Sequence, residues 1–209
     1  MTRRDASKRR PFSPALEKAD VFRCTARRLA CENSCFEVFF DRLETSDGTV
    51  IDDFLIVRPR VQTPEGIAGI CVLAEVDDMI GLMGSYRHQM NEVVWQAPAG
   101  FMEPGESPTL AAKRELREEL RLDCTADALV SLGTVLPDAG LVEARVALFV
   151  ARQCFPVQGQ RDHEPGTGPL TWFTRDELAQ LLRSESAIGA ATLIAATRYL
   201  DARKNLMRS

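Results

Sequence analysis

The stretch GFMEPGESPTLAAKRELREELRL, Gly100 to Leu122, constrains this chain more than any other. Ser107-Pro108 reads as a helix start, a capping oxygen followed by a proline where no amide hydrogen is missed. Beyond it Ala112, Leu116 and Leu120 recur every fourth residue, which predicts a helix to about Leu120 with one buried stripe. Glu115, Glu118 and Glu119 stand on an adjacent face at i, i+3 and i+4, so their carboxylates project to one patch. Like charges so placed cost a helix roughly a few tenths of a kcal/mol. Lys113, Arg114, Arg117 and Arg121 offset that cost if the helix is an ordinary solvated one. A divalent cation is the other offset, and an oxygen-only set with open positions suits Mg2+, with Mn2+ as its substitute.

The preceding loop favours the cation. Gly100 and Gly105 bracket a tight excursion, FMEPG, that ends on Glu106 just before the helix cap. A glycine after Pro98-Ala99 lets the backbone approach closely, so a main-chain carbonyl can join a metal shell. Arg114, one turn before Glu118, is placed to hold Glu106 in a bidentate pair. A generic surface helix needs no such loop.

In these residues the sequence resembles the Nudix family. The family signature is glycine, five residues, glutamate, seven residues, Arg-Glu, an apolar residue, any residue, Glu-Glu, any residue, glycine, and an apolar residue. Gly100, Glu106, Arg114, Glu115, Leu116, Glu118, Glu119 and Leu122 fall in register, eight of nine specified positions across 23 residues. The departure is Arg121, where the family has a helix-stopping glycine. The resemblance implies that Glu115, Glu118 and Glu119 bind the metal, aided by Glu106 and the Ala99 carbonyl. It also implies an α+β fold, an α/β/α sandwich with a mixed sheet.

The surroundings are similar to the branch that includes ADP-ribose pyrophosphatases and other nucleotide-sugar hydrolases. That branch has an N-terminal β piece, a strand ending in an arginine (SYRH here), and an aromatic-led approach to the box (WQAPAG here). It commonly has glutamate where this chain has Gln96. LPDAGLVEARVALFV fills the place of its proline-glycine loop, one residue shorter between Gly140 and Glu143. This resemblance implies Mg2+-dependent hydrolysis of a nucleoside diphosphate linked to another group, with ADP-ribose or a nucleotide sugar first among substrates. NADH, a dinucleoside polyphosphate or a nucleoside triphosphate is the alternative, and a non-catalytic nucleotide-binding module the rival class. Glu143 is the expected general base, with Asp138 in reserve and Glu118 or Glu106 behind them. Arg87 is the candidate for substrate phosphate, because a guanidinium grips phosphate bidentately. Trp95 or Phe101 is the candidate to stack on a base, against the commoner fate of a packed aromatic.

Bulk properties agree. With 209 residues, 45% hydrophobic and 27% charged, the chain can bury a sizeable core. A net charge of −4 gives no support to a role coating nucleic acid, which needs a basic surface. No run approaches the roughly 18 apolar residues of a membrane span. Six cysteines without a CxxC pair, and only two histidines, fit free thiols in a reducing cytoplasm rather than a zinc site.

Residues 1–18 are expected to form a flexible tail, 19–62 a small antiparallel β-sheet, and 63–209 the catalytic unit, with a boundary at Thr63-Pro64-Glu65-Gly66. CFEVFFDRLE and VIDDFLIVRP read as strands joined by a turn at Ser46-Asp47-Gly48. So small a sheet must pack on its own chain or a partner's, which predicts a homodimer. Further strands are expected at IAGICVLAEV, MIGLMGSYRH, Glu92 to Ala97, ALVSLGTVL and ARVALFVARQ, and two terminal helices, the first capped by Thr174 with Glu177.

Overall fold

The computed structural model describes residues 22–159, 165–184 and 187–206. The expected tail lies outside the described residues. β1 (Arg23–Glu32), β2 (Phe36–Glu44) and β3 (Val50–Pro59) form the small antiparallel sheet in chain order. Its second turn closes through Thr45 and Thr49, with Gly48 at φ 86 as the turn requires.

The remaining strands build a seven-stranded mixed sheet. β4 (Ile67–Val76) lies at its centre, parallel to β10 (Arg145–Ala151), which in turn pairs antiparallel with β9 (Leu129–Val135). On its other edge β4 pairs with β5 (Met79–Arg87) only over Ala74–Val76, and with β7 (Ala99–Phe101) over Gly69–Cys71. The far part of β5 carries β6 (Glu92–Gln96), and β12 (Thr167–Phe173) closes the sheet beside β5. A short pair, β8 (Leu122–Asp123) and β11 (Phe155–Pro156), stands apart.

Both faces of the sheet are covered, which explains the unbroken apolar run of β4. Ile70, Val72 and Ala74 face α1 (Pro108–Glu115), while Cys71 and Leu73 face α3 (Ala190–Leu206) and α2 (Arg175–Leu181). Leu73, Leu82, Leu116 and Leu148 are fully buried, and each such side chain contributes about 1.5–3 kcal/mol. This is the expected α+β sandwich. Among the described residues no helix is long and apolar enough to cross a membrane.

The box helix differs from expectation in its second half. Ser107 caps it by accepting from the Leu110 amide, and Pro108 opens it. After Glu115 the chain widens into a π-helical turn, Leu116–Leu120, and then stops at Arg121 in the left-handed region (φ 57, ψ 38). Single π turns are a recurrent device where side chains must be re-aimed. Arg121 adopts the conformation for which the family uses glycine, and its amide still donates to the Leu116 and Arg117 carbonyls.

Candidate active site

Gly100 is the floor of the site. β7 sets Gly100 opposite Ile70 and Ala99 opposite Cys71, and α1 lays Glu115 against this short strand. A Cβ on Gly100 would stand 1.8 Å from Glu115 Oε1, so only glycine leaves room for that carboxylate. Burial pushes the Glu115 pKa above the ordinary carboxylate value, against the opposing pull of Arg114.

Arg114 ties the cluster together. Its Nε and Nη2 each donate to a Glu106 oxygen at 3.1 Å, which is the expected bidentate pair. Nη1 donates to Glu115 at 2.6 Å and to Glu118 at 3.1 Å, and Nη2 also reaches the Phe101 carbonyl at 2.9 Å. Glu106 accepts in addition from the Glu103 amide at 3.1 Å, which fixes the FMEPG excursion. Burial resists ionisation of Glu106, but the bonds from Arg114 and Glu103 outweigh it and hold its carboxyl below the usual range. Those same carboxylates, Glu106 first, hold the Arg114 guanidinium firmly protonated. Glu119 Oε1 accepts from the Ala99 amide at 3.4 Å and so reaches the same strand.

The structure thus gathers Glu106, Arg114, Glu115, Glu118, Glu119 and Ala99 in one place. Among the described residues no three acidic, cysteine or histidine side chains form a closed cation cage; Arg114 holds oxygens of Glu106, Glu115 and Glu118. The donor chemistry nevertheless fits a hard divalent cation, since it consists of carboxylates gathered over a glycine cradle.

A cleft of about 780 Å3 opens over this cluster, with Glu115, Glu118, Ala99, Phe101 and Arg87 in its lining. Phe36 and Pro59 of the small sheet complete one wall. Phe36 meets Phe101 edge-on, with ring centroids 5.3 Å apart. Arg87 donates to the side-chain oxygen of Gln96, a neutral partner. Trp95 is not in the cleft. Half-buried, it packs edge-on against Phe173 at 5.2 Å and against the core cluster beside α3, the packed fate weighed against stacking above.

The loop after β9 divides its residues. Pro137, Val142, Ala144 and Arg145 line the cleft. Asp138 does not; its Oδ1 accepts from the Gly140 amide at 2.9 Å and shapes the turn. Glu143 lines a neighbouring recess of about 500 Å3 instead, and its Oε2 accepts from Arg27 Nη1 at 3.2 Å. Sequence reasoning passed over Arg145, which lines both cavities, and Phe36, whose place depends on the small sheet folding back. A cation at a strand end, the signal that selected Arg87, also marks Arg145.

An α/β/α sandwich with a glutamate-rich helix and a glycine cradle at one cleft defines a class of hydrolase, and comparison gives it a family. The NUDIX domain matches residues 65–195, and the chain belongs to the Nudix family. Within it, the chain is a Nudix hydrolase of the ADP-ribose pyrophosphatase-like branch. It is 32% identical over 147 residues to an ADP-ribose pyrophosphatase of Mycobacterium tuberculosis, 63% of this chain and 70% of that one. It is 28% identical over 157 residues to a methanol dehydrogenase activator of Bacillus methanolicus, 71% of this chain and 78% of that one. Among solved structures, an ADP compounds hydrolase shares the fold with a TM-score of 0.75 at 21% identity, over 94% of this chain and 100% of that one.

Proposed function

We propose that this enzyme uses Mg2+, with Mn2+ as a substitute, to hydrolyse the diphosphate of ADP-ribose or a nucleotide sugar. The products are a nucleoside monophosphate and a phosphorylated sugar. The observation that carries the reading is the gathering of the box glutamates over the Gly100 cradle, inside a cleft large enough for a nucleotide half. Glu115, Glu118 and Glu119, with the Ala99 carbonyl, would hold the cation. When bound, it supplies neutralisation of the diphosphate oxygens and a more acidic water.

The chain's own residues do the rest. Arg87, in the cleft lining and bonded to the neutral Gln96, takes a phosphate oxygen. Phe101, half exposed and braced by Phe36, offers a face for the base. Glu143 accepts the proton of the attacking water as one P–O bond forms and the bridging P–O bond breaks. That task requires its side chain to leave Arg27 and turn into the cleft, whose wall is formed by the residues on either side of it. Glu118, already in the cleft with its side chain 41% exposed, is the reserve. Residues 63–209 are the catalytic unit in this reading, and the segment 19–62, which carries the small sheet, is the dimerisation piece of a homodimer. The free thiols at Cys24, Cys31, Cys35, Cys71, Cys124 and Cys154 fit a cytoplasmic setting.

A product-resolved screen of ADP-ribose, sugar nucleotides, NADH, dinucleoside polyphosphates and triphosphates with Mg2+ tests the substrate. Glu115→Gln and Glu119→Gln test the site. Each should stay folded and lose about two orders of magnitude or more in turnover, because each removes a charged ligand from the shell. Near-wild-type activity of either at limiting Mg2+ would remove that residue from the metal site.

A further inference from the structure

We infer that Arg27 is a positioning residue that holds Glu143 outside the cleft, so that the small N-terminal sheet restrains the base through a releasable ion pair. The inference rests on the reading of Glu143 as base.

The backbone around Glu143 is pinned to the small sheet. Val57 of β3 donates to the Leu141 carbonyl at 2.9 Å and accepts from the Glu143 amide at 3.0 Å. The Ala144 amide donates to the Val142 carbonyl at 2.9 Å, which puts Glu143 at the apex of a three-residue turn. With its main chain held on both sides, Glu143 changes place most easily by rotating its side chain. Val142 and Ala144 line both the cleft and the neighbouring recess, whereas Glu143 lines the recess, where its carboxylate meets Arg27.

The two halves of the Arg27 contact are unequal. Nε and Nη2 donate at 2.8 Å to the two oxygens of Asp41, which is 2% exposed. The guanidinium also lies 4.9 Å above the Phe39 ring. Arg27 is therefore a fixed post. Its third bond, at 3.2 Å, goes to a carboxylate 44% exposed, and ion pairs of that kind are weak and screened by salt. One half of the contact is permanent and the other gives way, which is the arrangement of a latch. Entry of Glu143 into the cleft must break that third bond, so its strength adds to the barrier of turnover.

Arg27→Gln together with Asp41→Asn removes the latch without leaving a buried charge unpaired. At saturating substrate and Mg2+, kcat of this double variant should rise about two- to fivefold, the factor an exposed ion pair commands, with KM hardly changed. Arg27→Lys, which keeps the cation, should return kcat towards the wild-type value. In the wild type kcat should rise as NaCl is raised from about 20 to about 300 mM, where screening is strong, and the double variant should not respond. A folded double variant with unchanged or lower kcat overturns the latch. If that variant does not fold, the wild-type salt series decides, and a flat or falling kcat overturns the proposal. Glu143→Gln separates the layers: full activity there overturns the reading of Glu143 as base. An inactive Glu143→Gln beside a double variant of unchanged kcat overturns only the latch.

Discussion

A methyl group on Gly100 would sit 1.8 Å from Glu115 Oε1, far inside any non-bonded contact, so the carboxylate would have to leave its cradle. Gly100→Ala should therefore keep the fold and lower kcat about a hundredfold, as loss of a metal-bound charge does; steady-state kinetics beside circular dichroism read this out. Wild-type turnover in a folded Gly100→Ala enzyme would dissociate Glu115 from the chemistry. Arg121 poses the reverse case, a bulky residue in a backbone well that costs an L-residue about 1–2 kcal/mol. Because the bend itself is made with the usual amide bonds, Arg121→Gly should leave kcat within about twofold, glycine having no penalty there. Arg121→Val, β-branched at a left-handed position, should lower Tm by about 2–4 °C or more.

At the scale of elements, local signals carried far. The Thr174–Glu177 capping box is complete, with reciprocal side-chain and backbone bonds, and the cap at Ser107 is where its sequence puts it. β4 shows itself as an apolar run because both faces are covered. The box cluster was legible because its members lie within 23 residues and their spacing alone brings them together. The π turn was not, since Ala112, Leu116 and Leu120 fit α spacing and nothing in that pattern marks a widening. β12 was also missed. Its sequence, TGPLTWF, contains Pro169, which weakens a strand signal but is tolerated at the edge of a sheet, where β12 lies. Between β1 and β2, Arg27 and Asp41 are cross-strand partners, and the bonds from Arg27 hold the Asp41 carboxyl below its usual range. A depressed carboxylate stabilises the fold above its unfolded pKa, about 4, and that contribution disappears as pH falls through the lower folded value. Urea midpoints should therefore drop between about pH 5 and pH 2. The drop should be smaller in the Arg27→Gln, Asp41→Asn variant, and equal drops would disconnect Asp41 from acid stability.

At the scale of the molecule, β1 is exposed along its whole length, and Phe22, Leu29, Phe54 and Leu55 add apolar surface to the small sheet. A bare edge beside apolar side chains is a template for another chain. Light scattering at tens of micromolar should give twice the mass of one chain, and a monomer there would overturn the dimer. The small sheet also belongs to the cleft of its own chain, through Phe36 and Pro59 in the wall and through Val57. Val57 is a rung shared by the small sheet and the loop before β10, donating to one loop residue and accepting from another. The amides of Val57 and Glu143 should consequently exchange with deuterium at a common rate, set by how often the small sheet and this loop part. Slowing of that exchange by a non-hydrolysable nucleotide would clock the loop's opening without any chemistry being followed.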